Sequence, residues 1–383
     1  MGIASCHNVA DFRRIARRRL PLPIWHYLEG GADDEWTLRW NTAAFQRYQL
    51  VPRVLVDVTE IDTGTRVLGV DVAAPILLSP TGMSRLFHHE RELAVARAAA
   101  RHGLLYGLST VSTASIEEVA AVGKGPRLFQ VYVAKDRGLV RELVERARAA
   151  GYDALCVTVD TAMGGNRERD LRTGMALPPR FTARSLLSFA LHPGWSLRAI
   201  GDPHFRLANI AHRKELKADQ KEGIAAYLDS QLDRSFSWKD AEWMADLWGG
   251  PFAIKGVMHP DDVRRAVDHG ATAVMLSNHG GRQLDGAPAP VEMVEAARNA
   301  VGDRLEIIVD GGVRRGTHVA KALALGANAV SIGRPYLYAL AAGGERGVDR
   351  LLHLLVTEFR RSMALLGVTK VGQIDGSLIR HMR

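Results

Sequence analysis

Cysteine is nearly absent: the chain of 383 residues holds two, Cys6 and Cys156. That leaves no disulfide framework and no metal-spaced cluster, so a reducing compartment is expected and no metal site is. Long apolar runs are missing too. None reaches the roughly eighteen residues of a membrane span, and the first residues lack the apolar core of a secretion signal. The expectation is a cytoplasmic protein. No GxGxxG turn follows the first strand-like run, which weighs against an open, doubly wound dinucleotide fold. Aromatics are 7% of the chain, and no stacked-aromatic or nucleic-acid motif accompanies its net charge of +8. Nucleic acid is therefore not expected as a partner.

What charge there is gathers in two places, residues 13–19 and residues 180–217. Such patches suit anionic ligands or anionic lipid. Residues 8–20 read as a helix, with Asn8 as its cap and Phe12, Ile15 and Ala16 at helical spacing. Pro21 and Pro23 end it. A further helix after Trp25 is expected to break at Gly30-Gly31 and to restart with Asp33-Asp34-Glu35 as an acidic first turn.

From residue 74 short apolar runs alternate with helical stretches. Strands are predicted at 76–79, 105–108, 128–133, 154–159, 252–255, 273–277, 306–310 and 329–332, with helices between them. Eight β-then-α units predict an α/β (β/α)8 barrel over a single domain, 1–383, with an N-terminal helical extension. One interval is irregular. Residues 161–236 separate the fourth strand from the next helix, too long for an ordinary loop. Within it Leu186, Leu187, Phe189, Ala190 and Leu191 read as an exposed apolar cluster between basic flanks. That composition fits a segment lying in a membrane interface, a lid or an oligomer contact.

The predicted strands end in polar residues, and a barrel builds its site at those ends. A ring of polar groups at one mouth is costly unless each has a partner. The central stretch is Ser277-Asn278-His279-Gly280-Gly281-Arg282-Gln283-Leu284-Asp285, leaving the sixth strand. A histidine can take a proton near neutral pH, and an arginine can clamp a carboxylate. A lone HGGR turn would more often hold a structural histidine. Its neighbours argue otherwise. The seventh and eighth loops, Asp310-Gly311-Gly312-Val313-Arg314-Arg315-Gly316 and Gly333-Arg334-Pro335, offer backbone N–H groups and guanidiniums to a phosphate. Lys255, at the end of the fifth strand, needs an anionic partner. It suits a Schiff base or the stabilisation of negative charge on a cofactor.

These motifs resemble the FMN-dependent α-hydroxy-acid oxidase/dehydrogenase family over residues 9–367. Pro80-Thr81-Gly82-Met83, Gln130-Val131-Tyr132 and Lys255-Gly256 belong to the same pattern. The resemblance implies FMN as cofactor and a small L-2-hydroxy acid as substrate. His279 would take the hydroxyl or Cα proton, and Asp160 would orient it. Arg282, Arg167 and Tyr27 would hold the carboxylate, and Tyr132 would bond the hydroxyl. Pro80, Thr81, Gly82, Ser109, Gln130, Thr158 and Ser277 would surround the flavin, with Lys255 at its electron-rich edge. Asp310, Gly312, Arg314, Gly333 and Arg334 would take the ribityl chain and phosphate. The flavin pattern displaces the Schiff-base reading of Lys255.

Gly82, Arg167-Glu168-Arg169-Asp170-Leu171 and the stretch from Leu191 to Leu197 look like the bacterial mandelate and L-lactate dehydrogenase branch. That branch implies L-lactate or (S)-mandelate as substrate type and a membrane quinone as electron acceptor. It also implies a peripheral position on the inner face of the plasma membrane, and the family implies a homotetramer. The alternative is an oxygen-using oxidase or monooxygenase. Val111 and Met163 would leave a roomier pocket for an aromatic or branched acid.

Overall fold

All eight predicted runs are strands in the computed structural model, which describes residues 2–175, 180–200, 202, 206–212 and 232–382. They are β1 (Ile76–Thr81), β2 (Tyr106–Ser109), β3 (Arg127–Tyr132), β4 (Ala154–Thr158), β5 (Phe252–Val257), β6 (Ala273–Ser277), β7 (Glu306–Asp310) and β8 (Ala329–Ile332). Each pairs in parallel with the next, and β8 pairs with β1, so the sheet closes into a (β/α)8 barrel. Strands buried on both faces are mostly apolar, and β2, β4, β6 and β8 are buried at every position. The register sets the polar ends side by side: Ser109 beside Gln130, Thr158 beside Lys255, Ser277 beside Asp310, and Asp310 beside Ser331.

Inside the barrel, Leu77, Leu105, Leu128, Met275 and Ile308 pack against Val67, Leu68 and Val72. The last three belong to a hairpin of strands Thr65–Val67 and Val70–Val72 that covers the barrel floor. Leu68 and Gly69, both at positive φ, make its two-residue turn. The Leu68 N–H donates to Glu306 Oε2 at 2.8 Å, at the start of β7.

The N-terminal extension has three helices, α1 (Val9–Arg19), α2 (Leu22–Glu29) and α3 (Trp36–Ala43). Asn8 caps α1 by accepting from the Asp11 N–H at 3.0 Å, and Phe12, Ile15 and Ala16 are buried, as their spacing predicts. Pro21 caps α2 and Pro23 stands in its first turn, where a missing N–H costs nothing. The acidic triplet does not open α3. Asp33, Asp34 and Glu35 form the turn before it, with Asp33 and Glu35 at positive φ.

Helices α4 (Arg91–Arg101), α5 (Ile116–Ala120) and α6 (Arg137–Ala149) follow β1, β2 and β3, and the segment after β4 carries α7 (Glu168–Thr173), α8 (Ala183–Ala190) and α9 (Pro193–Ala199). α8 and α9 stand against α2 and the β1 loop. Ser188 Oγ accepts from the Leu22 N–H at 2.8 Å, and Trp195 Nε1 donates to the Leu86 carbonyl at 2.8 Å. Leu186, Leu187, Leu191, Leu197 and Ile200 are exposed. Phe189, expected among them, turns inward between Phe181 and Trp195 and ties the two helices together. Part of the basic run, residues 213–217, lies outside the described residues. Among the described residues no helix is long and apolar enough to cross a membrane.

Candidate active site

The C-terminal ends of the strands open into a cleft of about 1090 Å³, counting its mouth. Fourteen of the residues given a catalytic or cofactor role in the sequence line it: Tyr27, Pro80, Thr81, Gly82, Tyr132, Arg167, Lys255, His279, Arg282, Asp310, Gly312, Arg314, Gly333 and Arg334. Asp160 stands behind His279. Ser109, Gln130, Thr158 and Ser277 are buried below the cleft floor. Met163 does not line the cleft; its side chain is exposed at the rim. Val111 does line it, as expected. It lies so close to Gly82 that a Cβ there would overlap its Cγ2.

His279 leaves β6 at φ +56, followed by Gly280 and Gly281 at positive φ. Three left-handed residues in a row turn the backbone back on itself and aim the imidazole across the cleft toward the β4 loop. There His279 Nδ1 meets Asp160 Oδ1 at 2.9 Å. Burial holds the imidazole below its ordinary pKa, against the upward pull of Asp160. Burial also pushes Asp160 up, but His279, by its hydrogen bond and by its charge whenever it is protonated, and the Lys255 cation outweigh it and keep the carboxyl below the usual range. The pair is thus a neutral, acceptor-ready imidazole backed by a carboxylate, the arrangement of a general base with its orienting acid.

Arg282 lies with its guanidinium 5.0 Å from the Tyr27 ring centre and donates to the Tyr27 carbonyl at 2.6 Å and the Gly30 carbonyl at 3.2 Å. Burial and the neighbouring Arg167 push it down to about 9. Arg167 has a buried Nε without a hydrogen-bond partner among the described residues. Arg334 donates to the carbonyls of Leu28, Gly280 and Gly30 at 3.0, 2.8 and 2.8 Å. Burial lowers Arg314, and the nearby Arg334 cation adds to that. Among the described residues none of these four guanidiniums forms an ion pair with a carboxylate. Backbone dipoles do not neutralise them, so two anion positions are implied, one at Arg167 and Arg282 and one at Arg314 and Arg334.

Between them lies a buried polar cluster. Lys255 Nζ meets Asp310 Oδ2 at 2.9 Å and Ser277 Oγ at 3.0 Å, while Ser79 Oγ donates to Asp310 Oδ1 at 2.5 Å. Burial pushes Lys255 down, but Asp310 and Asp160 outweigh it and raise its pKa, so the ammonium stays charged. A Schiff-base lysine needs the opposite. Burial pushes the Tyr132 phenol up to about 12, so it remains a hydroxyl.

The residues present fit FMN. Gly312 at φ +75 and Gly333 bring backbone to the two unpaired guanidiniums, where a phosphate would stand. Below the cleft, Gln130 Nε2 is buried without a partner although its Oε1 accepts from Ser109 at 2.7 Å. A flavin ring edge supplies acceptors of that kind.

Some site residues carry no signal in the sequence. Leu28, Leu38 and Asn41 of the N-terminal extension line the cleft. Asn41 and Asn278 exchange side-chain hydrogen bonds at 2.8 and 2.7 Å. Asn41 O also packs so tightly on Gly312 that a Cβ there would overlap it. Only Asn278, inside the motif, could have been suspected.

The model of one family, described as FMN-dependent dehydrogenase, matches residues 16–381. Glycolate oxidase of Spinacia oleracea is 42% identical over 372 residues, covering 97% of this chain and 95% of that protein. Among solved structures, a monotopic membrane protein, (S)-mandelate dehydrogenase, superposes with a TM-score of 0.93 at 38% identity, covering 99% of this chain and 100% of the other. A soluble mutant of the membrane-associated (S)-mandelate dehydrogenase from Pseudomonas putida gives 0.86 at 36% identity, with 99% and 100% covered.

Proposed function

Since the chain belongs to the FMN-dependent dehydrogenase family, and is with it an FMN-dependent oxidoreductase of 2-hydroxy acids, we propose that it oxidises an L-2-hydroxy acid of the L-lactate or (S)-mandelate type and passes the electrons to a membrane quinone. The observation that carries this is the His279–Asp160 pair at 2.9 Å, facing unpaired Arg167 and Arg282 across one cleft. FMN, when bound, supplies the two-electron acceptor. Arg282 and Arg167 bind the substrate carboxylate, with Tyr27 beside them, and Tyr132 donates to the hydroxyl. His279 accepts the proton, and Asp160 stabilises the imidazolium that results. Lys255, held as a cation, would stand beside the flavin and favour its electron uptake. Gly312, Arg314, Gly333 and Arg334 hold the phosphate.

The quinone reading is supported by the apolar face of α8 and α9, rooted beside the cleft through Trp195 and Leu86. It is supported too by the higher superposition on the monotopic enzyme than on the soluble mutant. We propose a peripheral membrane position for this face and a homotetramer. A second reading, an oxygen-using oxidase, is favoured by the 42% identity to a glycolate oxidase. Anaerobic mixing of the purified yellow protein with (S)-mandelate, L-lactate and glycolate should bleach the flavin, fastest with one of the first two. Reoxidation by a soluble quinone should outpace reoxidation by oxygen. Fast peroxide release would select the oxidase, and no bleaching by any 2-hydroxy acid would overturn both.

A further inference from the structure

We infer that Gln283 is a positioning residue for the base, holding the backbone of Asp160 and through it the carboxylate that fixes His279. This rests on the reading of His279 as the base. Gln283 Nε2 donates to the Asp160 carbonyl at 2.7 Å and to the Met163 carbonyl at 2.8 Å, and its Oε1 accepts from the Gly165 N–H at 3.1 Å. A primary amide has two N–H donors and one carbonyl, and all three kinds of bond are used here. Reversing the amide would set oxygen against two carbonyl oxygens, so its orientation is fixed by its partners. Every partner is a main-chain group of the loop after β4. That loop carries Asp160 at one end and Arg167 at the other.

The position of Asp160 depends on this hold. Its Oδ1 meets His279, but its Oδ2 is buried without a hydrogen-bond partner among the described residues. Among them no second side chain bonds the carboxylate, so its place follows from its backbone. Gly256 packs against the foot of the side chain, where a Cβ would come within 2.6 Å of Asp160 Cβ. The Asp160 carbonyl is held by Gln283. Gly165 lies so close to the Arg282 carbonyl that a Cβ would overlap it, so the two loops touch where the amide bridges them. His279, Asp160 and Gln283 thus close a ring, the first and last four residues apart in one loop.

Gln283→Met keeps the length and removes all three bonds. In the FMN-loaded enzyme its kcat should fall about 10- to 100-fold, the cost of an ångström-scale misplacement, with a smaller change in KM. Asp160 pulls the proton affinity of His279 upward. Loosening it should therefore move the acid limb of kcat/KM to lower pH. In an Asp160→Asn background the same substitution should change kcat by no more than about twofold, because the path it acts through is gone. An unmoved acid limb with only a lower melting temperature would overturn the inference, as would effects that multiply in the double variant. If Gln283→Met does not retain FMN, Gln283→Asn, uncharged and one methylene shorter, cannot span the same three bonds, and the same shift is expected. Survival of turnover in His279→Gln would instead overturn the base itself. Loss of turnover there, with multiplying effects at Gln283 and Asp160, would overturn the positioning role alone.

Discussion

His279 sits in left-handed backbone, a conformation that costs a residue other than glycine about 1–3 kcal/mol. The neighbouring glycines share the turn, and the reward is an imidazole aimed at Asp160. His279→Gln should retain the flavin spectrum and lose at least about 10²-fold in the rate of flavin reduction by stopped flow. Retained rate would remove it as the base. As the proposed base His279 works when neutral, and burial lowers its pKa, so the acid limb of kcat/KM should lie below the ordinary imidazole value of about 6.5. Asp160→Asn removes a charge that raises it, so the limb should move lower still while kcat falls. A limb moving upward would contradict this pairing. His279, Arg282 and Lys255 were legible because each stands at a strand end inside a dense motif. Asn41 was not, since its pairing with Asn278 spans 237 positions and leaves no local pattern.

Among the elements, the strands were the most legible, because burial on both faces demands short apolar runs and tolerates little else. Helix α8 shows where pattern reading stops. Its apolar residues looked like one exposed cluster, yet Phe189 turns inward while Leu186, Leu187 and Leu191 face out. Sorting them required knowing that Trp195 stands opposite. If the outer face enters a bilayer, each leucine contributes roughly 1.5–3 kcal/mol of transfer. Leu187→Asp with Leu191→Asp should therefore cut binding to anionic-lipid vesicles by at least about 10²-fold in a sedimentation assay, with flavin content unchanged. Equal partitioning of variant and parent would show that this face does not meet lipid.

For the whole molecule, eightfold alternation was enough to anticipate a closed barrel, but the hairpin that covers its floor was not anticipated, because three-residue strands carry almost no periodicity. Leu68 is fully buried there, at the end away from the cleft. Leu68→Ala should cost about 2–5 kcal/mol of stability and lower the melting temperature while leaving kcat per flavin intact. A loss of kcat would mean that the floor and the mouth are coupled. The interior ion pair sets the acid response. Asp310 is held below the usual carboxylate range by Lys255 and its hydrogen bonds, against burial. The stability it lends is present above the ordinary carboxylate value and is lost as pH falls through the depressed one.

Early and late segments are clasped: strand Tyr48–Leu50 pairs antiparallel with Ile379–His381, and the carbonyls of Leu28 and Gly30 receive Arg334. A ribosome makes Leu28 306 positions before the Arg334 that clasps it. Until β8 emerges, β1 lacks one neighbour and the proposed phosphate corner lacks Gly333 and Arg334. Flavin capture should therefore wait for β8 and its loop, and nascent chains stalled before residue 333 should emerge colourless, their sheet edges open to whatever chaperone attends them.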